Sequence, residues 1–167
     1  LYEAKSIRLG LDLQGGSQLL LQVETEAALN EKLQNFNEDI RIKLEQNNLA
    51  FDNISQISNK IVISLTDKAS FEEALKLTKE FTSFDIKKDG LLIEAFFKED
   101  YIKEFNSSLM LQSLEIIRKR IDEVGTNEPI IQIQGNQRIL VQLPGLKDPD
   151  RIKSLLGKTA KMNFRLV

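Results

Sequence analysis

A chain of 167 residues with no histidine and no cysteine has few ways to do chemistry. The commonest general base, the thiolate nucleophile and the nitrogen–sulfur zinc site are all excluded by composition. What remains is oxygen chemistry. Carboxylates are plentiful: Glu24, Glu26, Glu72, Glu73, Glu99, Asp100, Asp122, Glu123, Asp148 and Asp150. A pair could act as general acid and base, or several could hold a hard divalent cation. Their placement argues against both. No EF-hand spacing is present, and most of them open helical stretches or line polar helix faces, where capping and solvation explain them. The residues therefore call for no cofactor, no metal and no catalytic group.

Two further segments carry specified residues. Leu9–Gly16 reads LGLDLQGG. A P-loop needs Gly-Lys-Ser/Thr opening a helix, whereas this run leads into a strand, so it reads as a turn with Asp12 folded back onto nearby N–H groups. Glu128-Pro129, Gln132, Gln134 and Gly135 make a polar hairpin beside Arg120. An Arg120–Glu128 ion pair tying helix to hairpin is the expectation there. Nucleic acid is excluded on two counts. The net charge is −2, and aromatic residues make up only 7% with no Trp, which leaves neither a basic field nor a stacking platform. No apolar run approaches the ~18 residues of a membrane span. The chain starts at Leu1 and is expected to be a piece of something longer.

The elements that must position these residues follow from hydrophobic period. Gln18–Glu24 is a strand. Thr25–Asn48 is a helix with Thr25 as N-cap and an apolar stripe at Leu29, Leu33, Phe36, Ile40 and Leu44. Phe51–Ser58 and Lys60–Thr66 are strands turned at Ser58-Asn59. Ser70 opens a second helix through a capping box with Glu73, and Phe71, Leu75, Thr78 and Phe81 form its inner face. Ser83–Lys87 and Leu91–Phe97 are strands broken at Asp89-Gly90. Glu99–Val124 is the longest helix, with Met110, Leu114, Ile117, Ile121 and Val124 on one face and Gly125 as its C-cap. Pro129–Gln134 and Arg138–Leu143 form a hairpin over Gly135-Asn136, closed by Pro144-Gly145. Asp148-Pro149 opens a short helix ending at Gly157, and Ala160–Val167 is the last strand.

This order predicts an α+β fold of two ferredoxin-like, split βαβ units whose antiparallel sheets are covered by helices. From periodicity alone, either Gln18–Glu24 or Leu91–Phe97 could serve as the first strand of the second unit. The natural binding surface of such a fold is an exposed strand edge, whose free N–H and C=O groups accept an extended peptide of any sequence.

Three stretches resemble the SecD family. They are LGLDLQGG with SQLLLQV (Leu9–Val23), IIRKRIDEVGTNEPIIQIQG (Ile116–Gly135) and RILVQLPGLKDPDRIKSLLGKTAKMNFRLV (Arg138–Val167). They occur in the family's order. The positions that match its pattern are Asp12, Gly15, Gly16, Arg120, Gly125, Glu128, Pro129, Gln134, Gly135, Pro144 and Gly145, read as structural turns, caps and a helix–hairpin tie. Gln18 stands where related sequences often carry His, and Thr126 where many are apolar. Residues 25–105 match no motif.

The resemblance implies a division. Residues 1–24 are an entry segment, the turn and the first strand; 25–98 form an inserted αββαβ-type lobe; 99–167 complete the ferredoxin-like base with strand 18–24. It also implies a non-catalytic extracytoplasmic domain of a multi-spanning inner-membrane subunit. That subunit works with SecF beside the SecYEG channel and uses the proton-motive force to assist late translocation and release of unfolded preproteins. The domain would face the periplasm. The alternative is a purely structural domain that positions the head region and docks on SecF or the channel without touching substrate.

Overall fold

The computed structural model describes residues 16–123, 125, 128–145, 154, 156 and 164–166. Among them the apolar periods become eight strands and three helices: β1 (Gly16–Val23), α1 (Thr25–Gln46), β2 (Phe51–Ile57), β3 (Lys60–Leu65), α2 (Lys68–Lys79), β4 (Phe84–Asp89), β5 (Leu92–Phe97), α3 (Glu99–Asp122), β6 (Ile130–Gln134), β7 (Arg138–Pro144) and β8 (Phe164–Leu166). The expected turn over Leu9–Gly15, the short helix from Asp148-Pro149 to Gly157 apart from Ser154 and Leu156, which are both helical, and the positions Val124 and Thr126 lie outside the described residues. Within the expected last strand, Phe164–Leu166 is described. No helix among the described residues is long and apolar enough to cross a membrane.

The strands form two four-stranded antiparallel sheets, ordered β6-β7-β1-β8 and β2-β3-β5-β4. In the first, β7 runs antiparallel to both β1 and β6, so those two strands are parallel to each other with β7 between them. In the second, β5 separates β3 from β4 in the same way. Each sheet therefore contains a split βαβ arrangement, with α3 on the β1–β6 connection and α2 on the β3–β4 connection. The fold is α+β with two antiparallel sheets, as the element order predicts. The strand that joins β6 and β7 is β1, paired with β7 from Gly16↔Pro144 to Gln22↔Arg138.

The chain divides into two units: residues up to Thr25 with those from Phe105 onward, and Glu26–Glu104 between them. Each has its own apolar core. In the first unit, Leu19, Leu21 and Val23 of β1 pack with Ile139, Val141 and Leu143 of β7 under Met110, Ile117 and Ile121 of α3. In the second, Leu33, Ile40 and Leu44 of α1 and Phe71, Ala74 and Leu75 of α2 cover Ile61, Ile63, Ile93 and Ala95. Burial alternates strictly along β1 and β3, the period of a sheet with one face against the core. The helix stripes fall where the sequence puts them, with half-buried Phe36 and Leu114 at their margins. Ser113 is an exception. It is fully buried on α3 and donates its hydroxyl to the Leu109 carbonyl at 2.7 Å, so a polar side chain sits in the core with its donor satisfied inside the helix.

The helix ends show where local chemistry is decisive. α1 ends in a Schellman arrangement: Leu49 N–H donates to Leu44 O and Asn48 N–H to Glu45 O, with Asn48 at a φ of 54°. The cap of α2 is not Ser70 but Asp67. Its carboxylate accepts from Ser70 N–H at 2.9 Å and from the Ser70 hydroxyl at 2.8 Å. A charged acceptor makes the stronger bond to a free helix N–H, so the carboxylate takes the position and the serine becomes its donor. At α1, the Thr25 hydroxyl is likewise not the expected cap. It accepts from Gln137 at 2.7 Å.

The second unit also gathers aromatic rings. Phe36 meets Phe84 edge-on at 5.1 Å, Phe84 stacks on Phe97 at 4.8 Å, and Phe97 stacks on Tyr101 at 4.8 Å. Burial in this cluster raises the Tyr101 hydroxyl above its ordinary pKa of 10.0 and keeps it neutral.

Hydrogen bonding from Ser70 holds the Asp67 carboxylate below its ordinary pKa of 3.8. A lowered folded-state pKa gives stability that is complete above the unfolded value and is lost as pH falls through the folded one. Asp67→Ala is therefore expected to lower the melting temperature at neutral pH, and this loss should shrink as the pH is taken below 3.8. Asp67→Asn, itself a good cap, should retain most of the neutral-pH stability. Thermal melts of the three proteins from pH 7 to pH 2 check both outcomes.

Candidate functional site

The nine described motif positions all fall in the first unit, around the β6–β7 hairpin. Arg120 occupies the last turn of α3, where the helix dipole favours a cation. Gly125 follows with a φ of 70°, and its N–H donates to Asp122 O at 3.0 Å, closing the helix. Glu128 and Pro129 lead into β6. Gln134 is the last residue of β6, opposite Arg138, and Gly135 opens the turn at a φ of 64°. Pro144 ends β7 directly opposite Gly16, and Gly145 turns away at a φ of 77°. Asp12 and Gly15 lie outside the described residues.

The expected Arg120–Glu128 tie is not formed; among the described residues no ion pair joins them. Glu128 stands exposed at a φ of 50°, while Arg120 is half-buried at the helix end. The link to the hairpin runs elsewhere. Gln137, in the β6–β7 turn, donates its side-chain amide to Thr25 Oγ1, and its carbonyl accepts from Val23 N–H at 2.7 Å. One turn residue thus fastens the hairpin to the junction of β1 and α1. Sequence reasoning missed it because an isolated glutamine in a polar turn carries no motif, and its partner lies 112 residues away. An amide pair spans the ladder. Gln142 donates to Gln18 Oε1 at 3.1 Å across the β1–β7 rung on which both sit. This gives Gln18 a role as a cross-strand partner.

β6 is the outer strand of its sheet. Its inner partner β7 uses one side of its main chain, and among the described residues no strand lies on the other. Ile130 is 44% and Ile133 40% exposed, with Gln132 and Gln134 also exposed. Only Ile131 turns into the core. What this geometry offers is an uncharged, partly apolar row of hydrogen-bonding groups. That suits an extended polypeptide rather than a small molecule. The carboxylates do not converge: among the described residues no group of three or more His, Cys, Asp or Glu side chains is placed to hold a metal ion.

Comparison with known sequences adds to this geometry. A family model described as "Protein translocase subunit SecDF, P1 domain, N-terminal" matches residues 110–167, and one described as "SecD/SecF GG Motif" matches residues 7–27. Curated relatives named "Protein translocase subunit SecD" align with nearly the whole chain. The one from Acetobacter pasteurianus is 40% identical over 98% of this chain and 33% of its own length. Those from Rickettsia bellii and Calditerrivibrio nitroreducens are 36% and 37% identical over 97% and 98% of the chain, each over 32% of its own length. The chain thus spans about a third of the length of the curated relatives it matches.

Two outcomes follow for the hairpin. A double-mutant cycle with Thr25→Val and Gln137→Ala should show a coupling of about 1 kcal/mol in chemical denaturation. The parallel cycle with Arg120→Ala and Glu128→Ala should be additive within ~0.5 kcal/mol. Gly125→Ala should cost about 1 kcal/mol through its left-handed φ alone, since an added Cβ meets nothing within 4 Å.

Proposed function

The chain belongs to the SecD family over the segment it spans, and on that premise we propose that it is a non-catalytic, extracytoplasmic part of a protein-export subunit. In this reading the full-length protein is anchored in the bacterial inner membrane and this segment faces the periplasm. It works with SecF beside the SecYEG channel and handles unfolded preproteins during late, proton-motive-force-driven translocation. The observation that carries the reading is the alignment of 97–98% of the chain with SecD subunits, including the unmotivated middle region. The hairpin agrees with it. Where the family pattern falls on described residues, it marks turns, a helix end and ladder ends, not polar side chains converging on a reaction centre.

The same reading treats residues 25–98 as a lobe inserted between the first strand and the long helix, and the eleven motif positions as the frame of the base. The frame holds in place a sheet edge, the Gln137–Thr25 amide–hydroxyl bond and the Gln142–Gln18 amide pair.

Photo-crosslinkers placed in the full-length subunit at Ile42, Ile57, Leu111 and Gln132, all exposed, test the assignment during export of a preprotein arrested in the channel. Crosslinks from one or more of these sites to the arrested chain are expected. Crosslinks only to SecF or channel subunits would replace substrate handling with a docking role. Absence of crosslinks to any component of the export apparatus would overturn the reading.

A further inference from the structure

Among the described residues the two sheets present four outer strands; β4 and β2 carry a device that discourages pairing, and β8 is described only over Phe164–Leu166. β4 reads FDIKKD, so charges at Asp85, Lys87, Lys88 and Asp89 guard it. β2 carries an irregularity between Phe51 and Asn53 together with Asp52. Charge and bulge are usual means by which proteins blunt a sheet edge. β6 has neither of them. It reads IIQIQ, pairs in unbroken register with β7, and has no charge along its length. Pro129 stands just ahead of the strand rather than within it.

We propose that the outer side of β6 is a strand-acceptor edge, to which an extended segment of unfolded polypeptide adds as a further strand of the β6-β7-β1-β8 sheet. The proposal rests on the export reading and names its contact site. The occupant follows from the chemistry of the edge. Main-chain N–H and C=O groups recognise any extended chain, whatever its sequence. Ile130 and Ile133 add apolar contact, and the exposed amides of Gln132 and Gln134 can donate or accept without imposing a charge requirement. Five residues make a short ladder, so the contact is weak and reversible, as a chain in transit requires.

The test uses the full 167-residue chain, titrated with a reduced and alkylated protein that cannot fold, with amide exchange followed residue by residue. Slowed exchange concentrated in Ile130–Gln134 is expected. In an antiparallel ladder consecutive residues alternate between pairing inward and facing out. Of Gln132→Pro and Ile133→Pro, therefore, one removes an outward N–H. The variant that keeps the wild-type melting temperature should bind the probe roughly three- to tenfold more weakly. The wild-type exchange map decides the matter even if both variants fail to fold. Protection elsewhere, or none at all, would overturn the proposal. So would protection of β6 that needs no probe and rises with protein concentration, which would make a second copy of the chain the occupant. Crosslinks to an arrested preprotein from Ile42, Ile57 or Leu111 with none from Gln132 would remove the edge while leaving the export reading in place.

Discussion

The pairing of β1 with β7 is the constraint from which the rest of the architecture follows. Seven rungs, from Gly16↔Pro144 to Gln22↔Arg138, bring together segments more than a hundred residues apart in sequence. Because β1 also pairs with β8, it is an inner strand, and the first unit's core is built on its Leu19, Leu21 and Val23. Everything from Glu26 to Glu104 must then leave and return between β1 and its partners. Closure cost grows only slowly with the length of a connection, so a long excursion is tolerable. Here the excursion has its own four-stranded sheet and its own core.

Within that frame, the hairpin is held by amides rather than charges. Gln137 reaches Thr25 and Gln142 reaches Gln18, in half-buried surroundings where a carboxylate or ammonium would lose hydration. The ion pairs on the described surface are different in kind. Lys43–Glu80, Lys60–Glu94 and the helix pairs Arg41–Glu38 and Lys103–Asp100 are all solvent-accessible, and each is worth little by itself. The positions shared with the family pattern mostly set the path of the main chain, while the glutamines that fasten the hairpin, Gln18, Gln137 and Gln142, each lie two residues from one of them.

Much of this was legible in the sequence because burial imposes a period. The inner faces of α1, α2 and α3 can be read from spacings of three and four, and the hairpins from Ser58-Asn59, Asp89-Gly90 and Gly135-Asn136. What could not be read were choices between chemically similar neighbours or between distant partners. Asp67 and Ser70 are both good caps, and only the fold shows that the carboxylate takes the N–H while the serine serves it. Ser113 interrupts an apolar face because its hydroxyl finds a carbonyl four residues back, a solution periodicity does not reveal. The Arg120–Glu128 pair is reasonable as two charges near one turn, but the positive φ at Glu128 belongs to the backbone geometry of the turn, which charge counting ignores. The choice of β1 as partner of β7 is a matter of tertiary pairing, on which strand composition is silent.

The central place of β1 has a consequence for how the protein is made. β1 leaves the ribosome more than a hundred residues ahead of its partner β7, and further still ahead of β8. At synthesis rates of ~5–20 residues per second, its leucines wait on the order of ten seconds for the strands that will bury them. Meanwhile the intervening lobe has every residue of its own core at hand once β5 has emerged. Assembly therefore proceeds from the middle outward. An apolar strand is held open while a completed body forms behind it, and the sheet of the first unit closes only when β7 and β8 arrive.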